Sequence, residues 1–226
     1  MIEPIIQSTQ GVGAANGVKI LVYGRAGVGK TSLCATAPAP FILSAEAGLL
    51  SLSRYNLPFT EIKTVDDLTN LYNWFVTSPN AKQFKTICID SITEIAQVVL
   101  KNYKQQVKDP RQAYGELSDK INEVVRLFRD LPGYHVYMTA QQKNNKDEAT
   151  GISINGISMP GAKLNNDVPY FFDEFFQLDI GKTPEGETFR FLRTQPDFSN
   201  DAKDRSGKLD PIELPDLTNI INKIIT

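Results

Sequence analysis

The chain has 226 residues, long enough for one sizeable α/β core and short for two. Its 24 basic and 26 acidic residues leave a formal net charge of −2, which excludes a global cationic field, so any contact with a polyanion needs a local patch. Two cysteines and one histidine argue against both a secreted disulfide framework and a Cys/His metal cluster.

Residues 1–17 end in a small, polar run without periodicity and read as a flexible arm ahead of a single domain over 18–226. Nothing in the N-terminal stretch has the basic-then-apolar pattern of a signal peptide, and no run approaches a membrane span. A cytoplasmic protein with no membrane partner is expected. Val18 to Tyr23 is an apolar strand. It runs into Gly24-Arg25-Ala26-Gly27-Val28-Gly29-Lys30-Thr31, a complete G-x-x-x-x-G-K-T phosphate-binding loop, and Ser32 then opens a helix. Pro38 and Pro40 stop that helix, and Phe41 to Ser44 form a second strand followed by Glu46. Thr64 and Asp67 have capping-box spacing ahead of a helix whose apolar stripe is Leu68, Leu71, Tyr72, Phe75 and Val76.

Lys85 to Ile89 is a third apolar strand, closed by Asp90-Ser91. A helix through Ile95, Val98, Val99 and Tyr103 leads into a polar connector from Lys104 to Gly115. Another helix carries Leu117, Ile121, Val124, Val125, Phe128 and Leu131 on one face and ends at Pro132-Gly133. His135 to Gln141 is a fourth buried strand, in which the histidine is a core or strand-edge residue. Gln142 to Asn166 shows no core pattern and reads as a long loop. Glu174 to Ile180 and Thr188 to Thr194 flank a hairpin turn, and Leu214 to Ile225 forms a terminal helix. Strands alternating with helices, then an antiparallel hairpin, give an α/β fold with a mainly parallel central sheet.

The loop dictates the chemistry around it. Its glycines let backbone N–H groups approach a polyphosphate at the positive end of a helix, Lys30 reaches the β- and γ-phosphates, and Thr31 offers a hydroxyl to Mg²⁺. Gly24 through Ser32 are therefore the nucleotide-binding residues. Asp90, at the C-terminal end of a parallel strand, is expected to hold the metal with Thr31. Ser91 stands where many ATPases carry a glutamate that polarises water, so the general base must come from elsewhere. Glu46, at the same sheet edge, is preferred to Glu94, and Gln141 on the fourth strand is placed to sense the γ-phosphate.

The phosphate loop, Glu46, the pair Asp90-Ser91 and Gln141 resemble, in that order, the RecA-type recombinase core. Pro160-Gly161-Ala162-Lys163-Leu164, Tyr170-Phe171-Phe172-Asp173-Glu174 and Ala202-Lys203-Asp204-Arg205 extend the likeness to the phage-encoded, Sak-type single-strand annealing proteins. The resemblance implies a RecA-like Mg²⁺-dependent ATPase, stimulated by single-stranded DNA, that acts in annealing and recombination in the cytoplasm of an infected bacterium. It also implies a filament or ring with ATP between subunits, where Lys203 and Arg205 reach the neighbour's γ-phosphate, and DNA contacts from Lys104, Lys108, Arg111 and Tyr114 in one segment and Lys143, Lys146 and Lys163 in another. The lack of net positive charge leaves room for an auxiliary single-strand-binding partner. A nucleotide-switched protein that regulates a partner without touching DNA remains the alternative, while a small-molecule kinase finds no acceptor pocket or lid in the sequence.

Overall fold

In a computed structural model, which describes residues 12–46, 48–146, 151 and 153–226, the chain forms a ten-stranded mixed sheet covered on both faces. A short helix α1 (Val12–Asn16) precedes β1 (Lys19–Gly24), and α2 (Lys30–Leu33) follows the phosphate loop. Next come β2 (Pro40–Ser44), β3 (Phe59–Glu61), α3 (Val65–Thr77), β4 (Thr86–Asp90), α4 (Ile92–Gln106) and α5 (Pro110–Arg129). The second half holds β5 (His135–Lys146), β6 (Ser153–Ser158), α6 (Ala162–Tyr170), β7 (Glu174–Lys182), β8 (Thr188–Arg193), β9 (Lys203–Asp204), β10 (Ile212–Glu213) and α7 (Leu217–Ile225).

The sheet runs β10-β8-β7-β1-β5-β4-β2-β3, with β6 paired to β5 and β9 paired to β7. Strands β7, β1, β5, β4, β2 and β3 are mutually parallel, while β8, β10, β6 and β9 pair antiparallel. The mainly parallel sheet with an antiparallel C-terminal hairpin is thus present. All six residues of β1 are buried, as expected of a strand with cover on both faces. One face packs α3, α4, α5 and α6 around Phe75, Phe128 and Phe172, and the other packs α2 and α7 around Tyr137 and Phe176. His135 lies at the start of β5, where Nδ1 accepts the Val18 N–H at 3.0 Å and burial keeps its pKa below the ordinary value.

Three sequence expectations change. Lys104 to Gly115 is not a connector: α4 continues through Gln106, and Asp109 caps α5, whose first residue is Pro110, so only 107–109 separate the helices. Gln142 to Asn166 is not a loop either. There β5 continues to Lys146, β6 folds back on it in register from Gln141↔Ser158 to Lys146↔Ser153, and α6 follows. In the arm, Val12–Asn16 is helical, and the Lys19 ammonium ties its end by donating to Asn16 O at 2.7 Å; residues 1–11 lie outside the described residues.

Candidate active site

Parallel strands open a crevice where their C-terminal ends carry loops, and here β1, β2 and β4 end at the edge where β5 leaves the parallel sheet to pair with β6. A cleft of about 560 Å³ lies there, lined by the phosphate loop together with Glu46, Asp90, Gln141 and Gln142. The four side chains that the sequence placed at this edge, Lys30, Glu46, Asp90 and Gln141, therefore share one cleft with Thr31.

The loop can take its shape because of its glycines. A Cβ on Gly24 would lie 2.6 Å from the Leu178 carbonyl oxygen of the neighbouring β7, a contact no side chain tolerates. Gly29 has φ of 111°, the left-handed region, and caps α2. Lys30 Nζ donates to Gly24 O at 2.8 Å and Arg25 O at 3.0 Å. Burial lowers its pKa, against the opposing pull of Asp90 and Glu46. Arg25 and Ala26 are exposed on the outer turn, and Arg25 pairs with Asp179 at 3.0 Å. Val28 differs from its neighbours: its side chain is buried in the core and its carbonyl accepts Arg190 Nε at 2.8 Å.

Asp90 is buried, yet both of its oxygens are answered. Thr31 Oγ1 donates to Oδ2 at 2.7 Å and Thr139 Oγ1 donates to Oδ1. A hydroxyl and a carboxylate held together are hard oxygen donors, which fit Mg²⁺ completed by phosphate oxygens and water. Among the described residues no three His, Cys, Asp or Glu side chains converge, so a protein-only metal cage is not built there. Glu46 is half-buried; its carboxylate accepts Ser91 Oγ, while its backbone carbonyl accepts Ser44 Oγ at 2.7 Å. Glu94 does not line the cleft. Gln141 is exposed at the point where β5 leaves the sheet core, and its N–H donates to Thr93 Oγ1 at 3.0 Å.

Other predicted residues lie elsewhere. Asp204 of β9 pairs with Glu174 at the start of β7, whereas Gly24 ends β1 four residues beyond Ile20, the partner of Glu174. Lys203 and Arg205 thus sit roughly 13 Å along the strands from the phosphate loop of their own chain. Lys203 Nζ donates to Pro169 O at 2.8 Å, Arg205 pairs with Asp173 at 3.2 Å, and both line one groove. Lys104 lies over the Tyr114 ring at 5.1 Å, and Lys108 and Arg111 flank that ring's helix start. Lys143 and Lys146 are exposed on the outer half of β5, and Lys163 lines a cleft with Asp119, Glu123 and Asp167.

Three contributors were not found in the sequence. Thr139 and Tyr137, whose hydroxyl donates to Lys30 O at 2.8 Å, alternate with Gln141 on one face of β5. A threonine two residues before Gln141 in an apolar strand is a readable signal. Arg190, on the hairpin strand β8, offers none.

A phosphate loop, a buried acid beside its threonine and a carboxylate across the cleft, all on one edge of a parallel sheet, define a P-loop nucleotide site. The chain belongs to the AAA domain family, whose model matches residues 16–206. No curated protein matches it. Among solved structures, it is similar to a KaiC-like protein, PH0186, from Pyrococcus horikoshii OT3, at 16% identity over 78% of this chain and 77% of that one, with a TM-score of 0.44. It is also similar to the flagellar accessory protein FlaH from Methanocaldococcus jannaschii, at 10% identity over 79% and 78%, with a TM-score of 0.43. No helix among the described residues is long and apolar enough to cross a membrane.

Proposed function

We propose that the chain is a RecA-like, magnesium-dependent ATPase that binds single-stranded DNA and promotes annealing in phage recombination, in the cytoplasm of the infected host. The observation that carries the ATPase part of this reading is the convergence of Lys30, Thr31, Glu46, Asp90 and Gln141 on one cleft. Lys30 and the loop amides would hold the ATP phosphates, and Thr31 with Asp90 would hold a magnesium ion, whose charge would offset that of the phosphates. Glu46 takes a proton from the attacking water. Gln141 stands where the β5–β6 hairpin begins, so its contact with the γ-phosphate is joined through the backbone to Lys143 and Lys146.

Lys203 and Arg205 lie away from their own loop, so their part in hydrolysis would be played across a subunit interface in a ring or filament. For DNA, the Lys104–Tyr114 stack offers a cation beside an aromatic ring, the pairing that suits a strand of stacked bases. With a net charge of −2, an auxiliary single-strand-binding protein fits as a partner. Lys163 favours the second reading, a nucleotide-switched regulator of a protein partner, because its cleft is rich in carboxylates that would repel DNA.

ATP hydrolysis measured with and without single-stranded DNA, on wild type and Glu46→Gln, tests the reading. Turnover that rises with DNA and collapses in the variant supports it. Turnover indifferent to DNA, with no DNA binding in either nucleotide state, leaves the regulator.

A further inference from the structure

The carboxylate assigned to water activation is held by a particular neighbour. Ser91 Oγ donates to Glu46 Oε1 at 2.5 Å, and the same oxygen accepts the Glu94 N–H at 3.3 Å as the N-cap of α4. Ser91 is 1% exposed, so water does not compete for its proton. Among the described residues no other side chain hydrogen-bonds that carboxylate.

We propose that Ser91 is a positioning residue for Glu46, an inference that rests on the reading of Glu46 as the base. The hydroxyl rotor is fixed at both ends. One lone pair is taken by the first turn of α4, and its single proton points at Glu46. The run from Glu94 N–H through Ser91 O–H to Glu46 Oε1 is polarised in one direction, and it brings the positive end of α4 to the carboxylate. One carboxylate oxygen is thereby held and the other is left to act on water. The residue after Asp90 therefore has work that a glutamate there could not do, because an ionised acid has no proton to donate. Chemistry and orientation are divided between two strands: β2 leads to the carboxylate, and β4 leads to the proton that aims it.

The test is steady-state ATP hydrolysis by the full chain as wild type, Ser91→Ala, Ser91→Thr, Glu46→Gln and the Ser91→Ala/Glu46→Gln double variant. Misplacing a reacting group by about 1 Å can cost on the order of 100-fold, so Ser91→Ala is expected to lower kcat by about tenfold or more with KM for ATP within about twofold. Ser91→Thr, which keeps the hydroxyl, restores much of the loss. In the Glu46→Gln background Ser91→Ala is expected to cost nothing further, since its effect passes through the missing carboxylate. Wild-type kcat in Ser91→Ala overturns the proposal, as does a full further drop in the double variant.

Where Ser91→Ala fails to fold for want of its cap, Ser91→Asp decides. It caps the helix but sets a like charge beside Glu46, and wild-type turnover in it overturns the proposal. Full activity in Glu46→Gln removes the base reading and this inference together. An inactive Glu46→Gln beside a fully active Ser91→Ala removes this inference alone.

Discussion

At Asp90 the protein buries a carboxylate and answers both oxygens with hydroxyls, from Thr31 and from Thr139. The contact to Thr31 is the one a metal would replace, so Thr139 is the permanent partner. Thr139→Val leaves one oxygen buried and unanswered, which costs roughly 1 to 3 kcal/mol and lowers the melting point by roughly 2 to 10 °C. Differential scanning calorimetry reads it directly. Glu174 is a second buried acid, on β7 opposite Asp204, and its Oε2 has no hydrogen-bond partner. Burial, with Asp204 beside it, pushes its pKa up to about 8. The folded state therefore keeps a proton that the unfolded chain loses near pH 4.5, and stability falls as pH rises between those values, by up to about 1.4 kcal/mol per pH unit. Urea midpoints from pH 5 to pH 8 should slope downward in wild type and lie flatter in Glu174→Gln.

At the scale of elements, the hairpin β5–β6 separates what the sequence reveals from what it hides. The inner half of β5, His135 to Ala140, is apolar and legible because the sheet buries it on both faces. Its outer half, Gln141 to Lys146, is polar on both faces, so no alternation marks it as a strand; its order comes from the ladder to β6 and from Asn144 and Asn155, whose side chains bond at 3.1 Å. Strand β3 was hidden by its shortness, three residues that are mostly exposed. Helix α6 was hidden by Pro169 within it. In the site, residues at strand ends were legible from strand periodicity plus a polar terminus. Arg190 was not, because its partner is a backbone carbonyl 162 positions away. The exposed outer half also sets a prediction. Replacing Lys143 and Lys146 by Gln should reduce the salt dependence of single-strand binding by about 1.4 in log–log slope, from about 0.7 per lost phosphate contact. Titrations of a labelled oligonucleotide at several salt concentrations measure it, and an unchanged slope would take the hairpin out of the DNA interface.

For the molecule as a whole, the proposed action of Lys203 and Arg205 on a neighbour's ATP would divide one active site between two copies. Lys203→Ala/Arg205→Ala protein should bind ATP yet turn it over poorly, because the loss falls on charge that develops during transfer. Mixing it with Glu46→Gln protein should recover part of the activity, since some interfaces then combine an intact loop with intact cations. Turnover in the mixture no greater than the sum of the two alone would show that the cations do not act across an interface.

The ladder of strands closes at each end on a fragment, β10 with two residues and β3 with three. Edges this short give a second copy almost nothing to pair with at those two strands, which guards against runaway strand addition there. Among the described residues, backbone is left open instead along β8 from Thr188 to Phe191, beyond the reach of β10. Joints between copies made by side chains, by contrast, can be loosened by salt or by a single substitution and can come apart without disturbing the fold of any one link.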